Sequence, residues 1–332
     1  MQQQVWMVEK PDGPFVEVEQ IRPTPRSREV LVRIAASGVN PLDTKIRAGK
    51  AEHAKQPLPA VLGLDMAGTV EEVGTGVATF KAGDGVFGLA GGVGGLQGTL
   101  AEFIVVDADL LARAPKNLSM REAAALPLST ITAWEGLVNR AHVHAGQKVL
   151  IHAGAGGVGH LAVQVALAFG AEVFATVSPS KRHVVEAFGA IPIDYRSVSV
   201  EEYVDTFTHG DGFDIVYDTV GGATLDDSFK AVRRYTGHVL SSLGWGTHSL
   251  APLSFRGATY SGVFTLLPLL TGNGRAHHGE ILARVARLAE EGKLRPLLNQ
   301  KRFTTSEIEG AHTMVEPGSE GKVVVEIAAR AS

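Results

Sequence analysis

Glycines 154, 156 and 159 follow the short apolar run Val149-Leu150-Ile151-His152-Ala153 and precede the apolar stretch HLAVQVALAF, which stops at Gly170. A dinucleotide pyrophosphate is bound by this spacing, G-x-G-x-x-G, where a strand turns into a helix. The first glycine permits a tight turn, the second lets the phosphates approach the backbone, and the third lets helix pack on strand. The helix start adds unpaired N–H groups and a positive dipole end. On spacing alone these glycines could equally form a plain turn, but the flanking strand and helix supply the context that favours a dinucleotide. Gly154, Ala155, Gly156, Gly157, Val158 and Gly159 are therefore the candidate cradle.

The next question is which dinucleotide. An acidic residue at the end of the second strand, about 20 residues beyond the glycines, would bind a ribose 2′-hydroxyl. Here the strand EVFATV ends at Val177 and is followed by Ser178-Pro179-Ser180-Lys181-Arg182, without a carboxylate. Two hydroxyls and two cations at a helix start suit a phosphate. Charged hydrogen bonds contribute about 1.5–3 kcal/mol each, so one or two would favour a 2′-phosphate about tenfold or more. The alternative is that Lys181 and Arg182 are solvated helix residues. We expect NADPH, with Ser178 and Lys181 at its 2′-phosphate.

These residues need a scaffold, and the chain reads as two regions. Residues 1 to about 120 are β-rich, with strand candidates VWMVE, FVEVEQ, AGTVEEV and AEFIVV and an alternation of Val30, Val32 and Ile34 with Leu31, Arg33 and Ala35. Between them lies GLAGGVGGLQG at 88–98, either a flexible connector or a loop that folds over a ligand. Ser119 and Glu122 form a capping box that opens a helix, and 130–140 continues as helix. From 148 the runs KVLIHA, EVFATV, IPID, DIVYD, HVLSSL and ATYSGVF alternate with helical stretches. Six such strands predict an α/β fold with a doubly wound parallel sheet. Val220, Ser242, Leu243, Val263 and Phe264 fall at the ends of its later strands, where a ligand crevice forms. A helix is expected near 279–291, and the last strand, KVVVEIA, should rejoin the β-rich region.

Composition narrows the function. The chain has 332 residues, 45% of them hydrophobic and 20% charged, which suits a globular protein of two domains. Its net charge is −4 with no basic run, which argues against nucleic acid as a partner. No apolar stretch approaches the roughly 20 residues that span a bilayer, and MQQQVWMVEKPDG lacks the pattern of a signal peptide. A cytoplasmic location is the expectation. The absence of cysteine removes disulfides, thiolate metal sites and thiol nucleophiles. His142 with His144, and His277 with His278 and Glu280, lack a third ligand at a recurring spacing, so no metal is expected. His152 is expected to satisfy hydrogen bonds at a strand end, and Asp65 to be buried with a partner. No G-x-S-x-G elbow supports a hydrolase.

Several separate stretches agree with one family. GVNPLDTKIRAG (38–49), LGLDMAGTVEEVG (62–74), AALPLSTITAWEGL (124–137), HAGAGGVG (152–159), DTVGG (218–222) and GKVVVEI (321–327) occur in family order along nearly the whole chain. The chain resembles the medium-chain dehydrogenase/reductase superfamily, in particular its zinc-independent quinone oxidoreductase (ζ-crystallin-like) branch. The resemblance implies a GroES-like catalytic domain over 1–122 and 266–332, interrupted by a Rossmann NADP-binding domain over 123–265, with the active site in the cleft between them. It places Asn40 and Thr132 beside the nicotinamide, as the catalytic candidates, and Tyr195 near the adenosine-ribose phosphate. The zinc ligands of the superfamily's alcohol dehydrogenases correspond to Asn40, Leu64 and Leu128, and two leucines cannot ligate zinc. It implies hydride transfer to a quinone or other conjugated carbonyl, with an enoyl or enone reductase and a non-catalytic NADPH-binding protein as alternatives. Relatives pair the strand near 258–264 across a two-fold axis, which implies a homodimer through TYSGVFTLLPLL, unless TLLPLL packs inside its own subunit. The chain departs from the branch at Lys50-Ala51-Glu52-His53-Ala54, where many quinone reductases carry an aromatic residue.

Overall fold

The computed structural model describes residues 1–316 and 318–328, so the expected domain end at 332 lies outside the described residues. The chain divides after Leu128 and after Thr265 into two compact units. The first division falls beyond residue 122 because the helix Met120–Ala124 packs on the strands Glu29–Val39 and Asp65–Val73. Gly38 permits that approach, since a Cβ there would lie 2.3 Å from the Ala124 carbonyl oxygen. The capping box opens this helix, with Ser119 N donating to Glu122 Oε2 at 2.8 Å.

In the unit that holds both ends of the described chain, one sheet has seven strands. Its path runs Phe303–Thr304, Val323–Glu326, Glu29–Val39, Asp65–Val73, Gly85–Leu89 and Leu111–Arg113, with Phe103–Asp107 also paired to Glu29–Val39. The strand Val323–Glu326 runs antiparallel to Glu29–Val39, Val323 opposite Val39. Alternation along Glu29–Val39 is weaker than the sequence suggests. Leu31 is as fully buried as Val30 and Val32, because this strand pairs with three others and is covered on both faces. The glycine-rich stretch at 88–98 is tied down rather than flexible. Gly94 N donates to Ala54 O at 2.9 Å and Gly98 N to Val61 O at 3.1 Å. A Cβ on Gly91 would lie 1.9 Å from Gln97 O. The long helix Arg275–Glu290 buries Ile281, Leu282 and Val285 and leaves Leu288 half-buried.

Ser129–Thr265 forms the second unit around a six-stranded parallel sheet. Its strands lie in the order Ile191–Asp194, Glu172–Val177, Lys148–Ile151, Ile215–Asp218, His238–Ser241, Thr259–Gly262. Numbered along the chain this is 3-2-1-4-5-6, the order of a dinucleotide-binding sheet. Covered on both faces, such strands read as apolar runs, and Val149, Leu150 and Ile151 are all fully buried. Leu150, Phe174, Phe213, Val216, Phe229 and Val239 form the core on one side. The expected helix over 130–140 is two pieces: an α-helix, Pro127–Trp134, continues as a π-helix, Glu135–Arg140. The last strand is shorter than ATYSGVF, although Val263 N still donates to Ser241 O at 2.8 Å. No helix among the described residues is long and apolar enough to cross a membrane.

Candidate functional site

Because the sheet is parallel, every strand's C-terminal end lies on one edge, and the candidate residues of this unit collect there. Gly154–Gly159 follow the first strand and Val220 follows the fourth, on either side of the point where strand order reverses. Ser178 and Tyr195 each come one residue after the paired residues Val177 and Asp194, so they cap neighbouring strands. Ser242, Leu243, Val263 and Phe264 follow the fifth and sixth strands.

The glycines divide their work differently from the sequence expectation. The residue in the left-handed region is Ala153, at φ 53°, not Gly154. Gly154 is needed because a Cβ there would lie 2.5 Å from Ala175 Cβ, on the neighbouring strand. Gly159, the first residue of the helix Gly159–Ala168, would place a Cβ 2.1 Å from Ala153 O. Gly156 is the least crowded of the three, since a Cβ there would lie 3.0 Å from Ala153 O and 3.8 Å from Ala153 Cβ, and Gly157 is exposed. The two outer glycines close the turn, and the middle of it stays open to a ligand. This fits a pyrophosphate on the helix start.

At the end of the second strand no carboxylate enters the Ser178–Arg182 turn from its own residues. Ser178 Oγ lies 3.2 Å from Ser180 Oγ, and Lys181 N donates to Ser178 O at 3.0 Å. Lys181 has no ion pair among the described residues, whereas Arg182 Nε reaches Glu186 Oε1 at 2.8 Å. Tyr195 is 53% exposed, so its ring is available to a ligand.

Sequence reasoning missed Asp218, which is fully buried and organises the crevice floor. Its Oδ1 accepts from Val220 N at 3.0 Å and Gly221 N at 2.9 Å, and its Oδ2 from Ser241 Oγ at 2.7 Å. Ser241 Oγ in turn accepts from Leu243 N at 3.1 Å. Thr219 Oγ1 donates to His152 O at 2.7 Å, tying the fourth strand to the first. The carboxylate in DTVGG, at a strand end ahead of two glycines, was the signal that could have found this. His152 Nδ1 lies 3.2 Å from Thr176 Oγ1, while burial pushes its pKa down to about 4 and its Nε2 has no hydrogen-bond partner among the described residues. A neutral, structural imidazole is the result. Thr132 is held through its backbone, where its carbonyl accepts from Tyr217 Oη at 2.7 Å. Gly136 makes room for that ring, since a Cβ there would lie 2.8 Å from it.

Asn40 belongs to the other unit, and it is buried in a polar cluster. It is the N-cap of the helix Pro41–Arg47, and its N–H donates to Asp43 Oδ2 at 2.8 Å. Its Nδ2 donates to Asp65 Oδ2 at 2.9 Å and its Oδ1 accepts from Lys322 Nζ. Asp65 Oδ1 accepts from Leu128 N at 2.8 Å. Asp65 is thus buried with partners, the Asn40 amide on one oxygen and the Leu128 N–H on the other. Burial pushes the Asp43 carboxyl up to about 7, against the pull of Asn40. Of the three positions matching zinc ligands, Leu64 and Leu128 offer only apolar side chains and the Asn40 amide is engaged by Asp65 and Lys322. Among the described residues no three His, Asp or Glu side chains converge elsewhere.

Comparison with known proteins places both parts of the chain among dehydrogenases, the second match running across the boundary after Thr265. Residues 26–116 match the family of alcohol dehydrogenase GroES-like domains, and residues 188–325 match the zinc-binding dehydrogenase family. A 2-methylene-furan-3-one reductase of Solanum lycopersicum is 36% identical over 312 residues, which cover 91% of this chain and 73% of that protein. An NADPH-dependent alkenal/one oxidoreductase, chloroplastic, of Arabidopsis thaliana is 34% identical over 319 residues, 93% of this chain and 75% of that one. Among solved structures, an alcohol dehydrogenase superfamily protein from Novosphingobium aromaticivorans is 55% identical, with a TM-score of 0.96 over 98% of this chain and 100% of that one.

Proposed function

The chain belongs to the medium-chain dehydrogenase/reductase superfamily, and on that premise we propose that it is an NADPH-dependent reductase of conjugated carbonyl compounds. The observation that carries this reading is the half-exposed Gly156 between two sterically closed glycines, at the reversal point of a 3-2-1-4-5-6 sheet. When bound, NADPH supplies the hydride. The protein's own residues bind, orient and exclude water. Gly154–Gly159 hold the pyrophosphate, Ser178 and Lys181 the 2′-phosphate, and Tyr195 flanks the ribose beside them. Asn40 and Thr132 orient the nicotinamide, and Val220, Ser242, Leu243, Val263 and Phe264 line the crevice.

The donor set selects the acceptor. Zinc would polarise a lone carbonyl, and Leu64 and Leu128 cannot hold it. A conjugated acceptor spreads the incoming charge onto its own oxygen, so positioning is enough. The activities named for the tomato and Arabidopsis relatives favour an enone over a quinone. A homodimer and a cytoplasmic location are part of the same proposal, the latter tested by cell fractionation. The test of activity follows NADPH oxidation against a panel of enones and quinones, with and without a chelator. Turnover of enones, unchanged by the chelator, is the expected result. NADPH binding without turnover of any acceptor points instead to a non-catalytic binder, and chelator-sensitive turnover overturns the zinc-free reading.

A further inference from the structure

One charged group in the unit formed by residues 1–128 and 266–332 has no place in the reading so far. Asn40, Asp43, Asp65 and Lys322 are each 5% exposed or less. Lys322 immediately precedes the strand Val323–Glu326, whose register sets Val323 opposite Val39 and so brings Lys322 beside Asn40. Its Nζ donates to Asn40 Oδ1 and lies 3.9 Å from Asp65 Oδ2, the oxygen that also accepts from Asn40 Nδ2. Burial pulls the ammonium below its ordinary pKa, and the charges of Asp65 and Asp43 oppose that pull. A buried ion pair is seldom more stable than an apolar pair of the same volume. Stability alone therefore does not call for lysine here.

We propose that Lys322 is a positioning residue that locks the Asn40 amide in one of its two orientations, so that Asn40 presents a defined donor and acceptor to the cofactor. An amide flipped by a half-turn would set its NH2 against the ammonium and its oxygen against the Asp65 carboxylate, and both contacts repel. In the observed orientation one N–H and one oxygen lone pair of Asn40 are used by the cluster, and one of each remains. That pair is complementary to a primary carboxamide, the group the nicotinamide ring carries. The inference rests on the reading of Asn40 as a nicotinamide contact.

A double-mutant cycle on NADPH binding tests it without any acceptor. Kd for NADPH is measured by fluorescence titration of the full chain and of Asn40→Ala, Lys322→Met and the double variant, with thermal unfolding of each as the folding control. If Lys322 acts through Asn40, Lys322→Met weakens binding about tenfold in the wild-type background and less than about twofold once Asn40 is alanine. Lys322→Gln keeps a donor for Asn40 Oδ1 and should restore part of the affinity, and it replaces Lys322→Met in the cycle if the latter does not fold. Losses that multiply in the cycle, or an affinity unchanged by Lys322→Met, overturn the inference while leaving the functional reading intact. A wild-type chain that binds NADPH but turns over no acceptor fails the functional reading alone, and one that binds no NADPH overturns both.

Discussion

Lys181 and Arg182 are neighbours with different commitments. Arg182 is paired with Glu186 one turn along its own helix, and Lys181 is half-buried with no ion pair among the described residues. Lys181→Ala is therefore expected to weaken NADPH binding about tenfold and NADH binding hardly at all, with Arg182→Ala the smaller effect. Titration with both cofactors checks this, and equal losses for both would remove Lys181 from the 2′-phosphate. His312 shows the opposite case, a titratable group with no partner. It is 1% exposed, its ring lies 4.7 Å from that of Phe15, and neither ring nitrogen has a hydrogen-bond partner among the described residues. Burial, with Arg47 nearby, pushes its pKa from 6.5 down to about 3. The unfolded chain thus binds the proton first. The stability that His312 contributes is complete above about 6.5 and is lost as pH falls towards about 3. His312→Leu should flatten this limb by up to about 1.4 kcal/mol per pH unit, read by urea unfolding at several pH values, while His152 and His278, both pushed down to about 4, keep a residual slope. Parallel curves for variant and wild type would show that His312 titrates normally. Such residues are hard to see in a sequence. Asp65 was recognisable as buried, but its partner Asn40 is 25 positions away and Lys322 is 282 positions from Asn40, so no local pattern joins them.

Elements whose signal is local were legible. The central strands of the parallel sheet announce themselves as apolar runs, because both their faces are covered, and the glycine turn lies within six consecutive residues. What was not legible depends on contacts between elements. The alternation along Glu29–Val39 located the strand but not the burial of Leu31, because three strands pair with it and a helix packs on it, and the π-helix Glu135–Arg140 has no signature in its residues. The roles of the three glycines also needed the neighbouring strand, since Ala175 is what makes a Cβ at 154 impossible. Their difference yields a contrast within one turn. Gly159→Ala drives a Cβ into the Ala153 carbonyl and should lower stability by about 1–3 kcal/mol. Gly156→Ala meets the same oxygen at 3.0 Å, a tight contact but far less severe than at 159, so it should cost less stability than Gly159→Ala while NADPH affinity falls about tenfold or more. Thermal unfolding and cofactor titration on both variants separate the two. Loss of stability without loss of affinity at Gly156 would mean that the open space above it holds no phosphate.

For the whole molecule, the parallel sheet must end somewhere, and its two edges differ. The edge strand Ile191–Asp194 carries Pro192, which lacks the N–H that a further strand would use, and ends in a carboxylate. The other edge, Thr259–Gly262, has neither proline nor charge, and its four residues are exposed or half-exposed. Just before it, Phe255 is 87% exposed, and Tyr235, whose N–H donates to Arg256 O at 2.7 Å, is 85% exposed. An unprotected edge beside bare aromatic rings is a surface that proteins usually cover, and a second copy of the same edge across a two-fold axis would cover it. Part of the stretch that follows is already used within the subunit, because Leu266 and Leu269 are each 3% exposed while Leu267 is 54% exposed. The apolar contribution to a dimer therefore rests on Phe255, Tyr235 and Leu267 rather than on TLLPLL as a whole. Light scattering at micromolar concentration should give twice the monomer mass. Phe255→Glu should lower it to one chain without weakening NADPH binding, since Phe255 lies outside the glycine turn and the Ser178–Arg182 turn. A wild-type mass of one chain rules the dimer out, and a Phe255→Glu variant that stays dimeric moves the interface away from this edge.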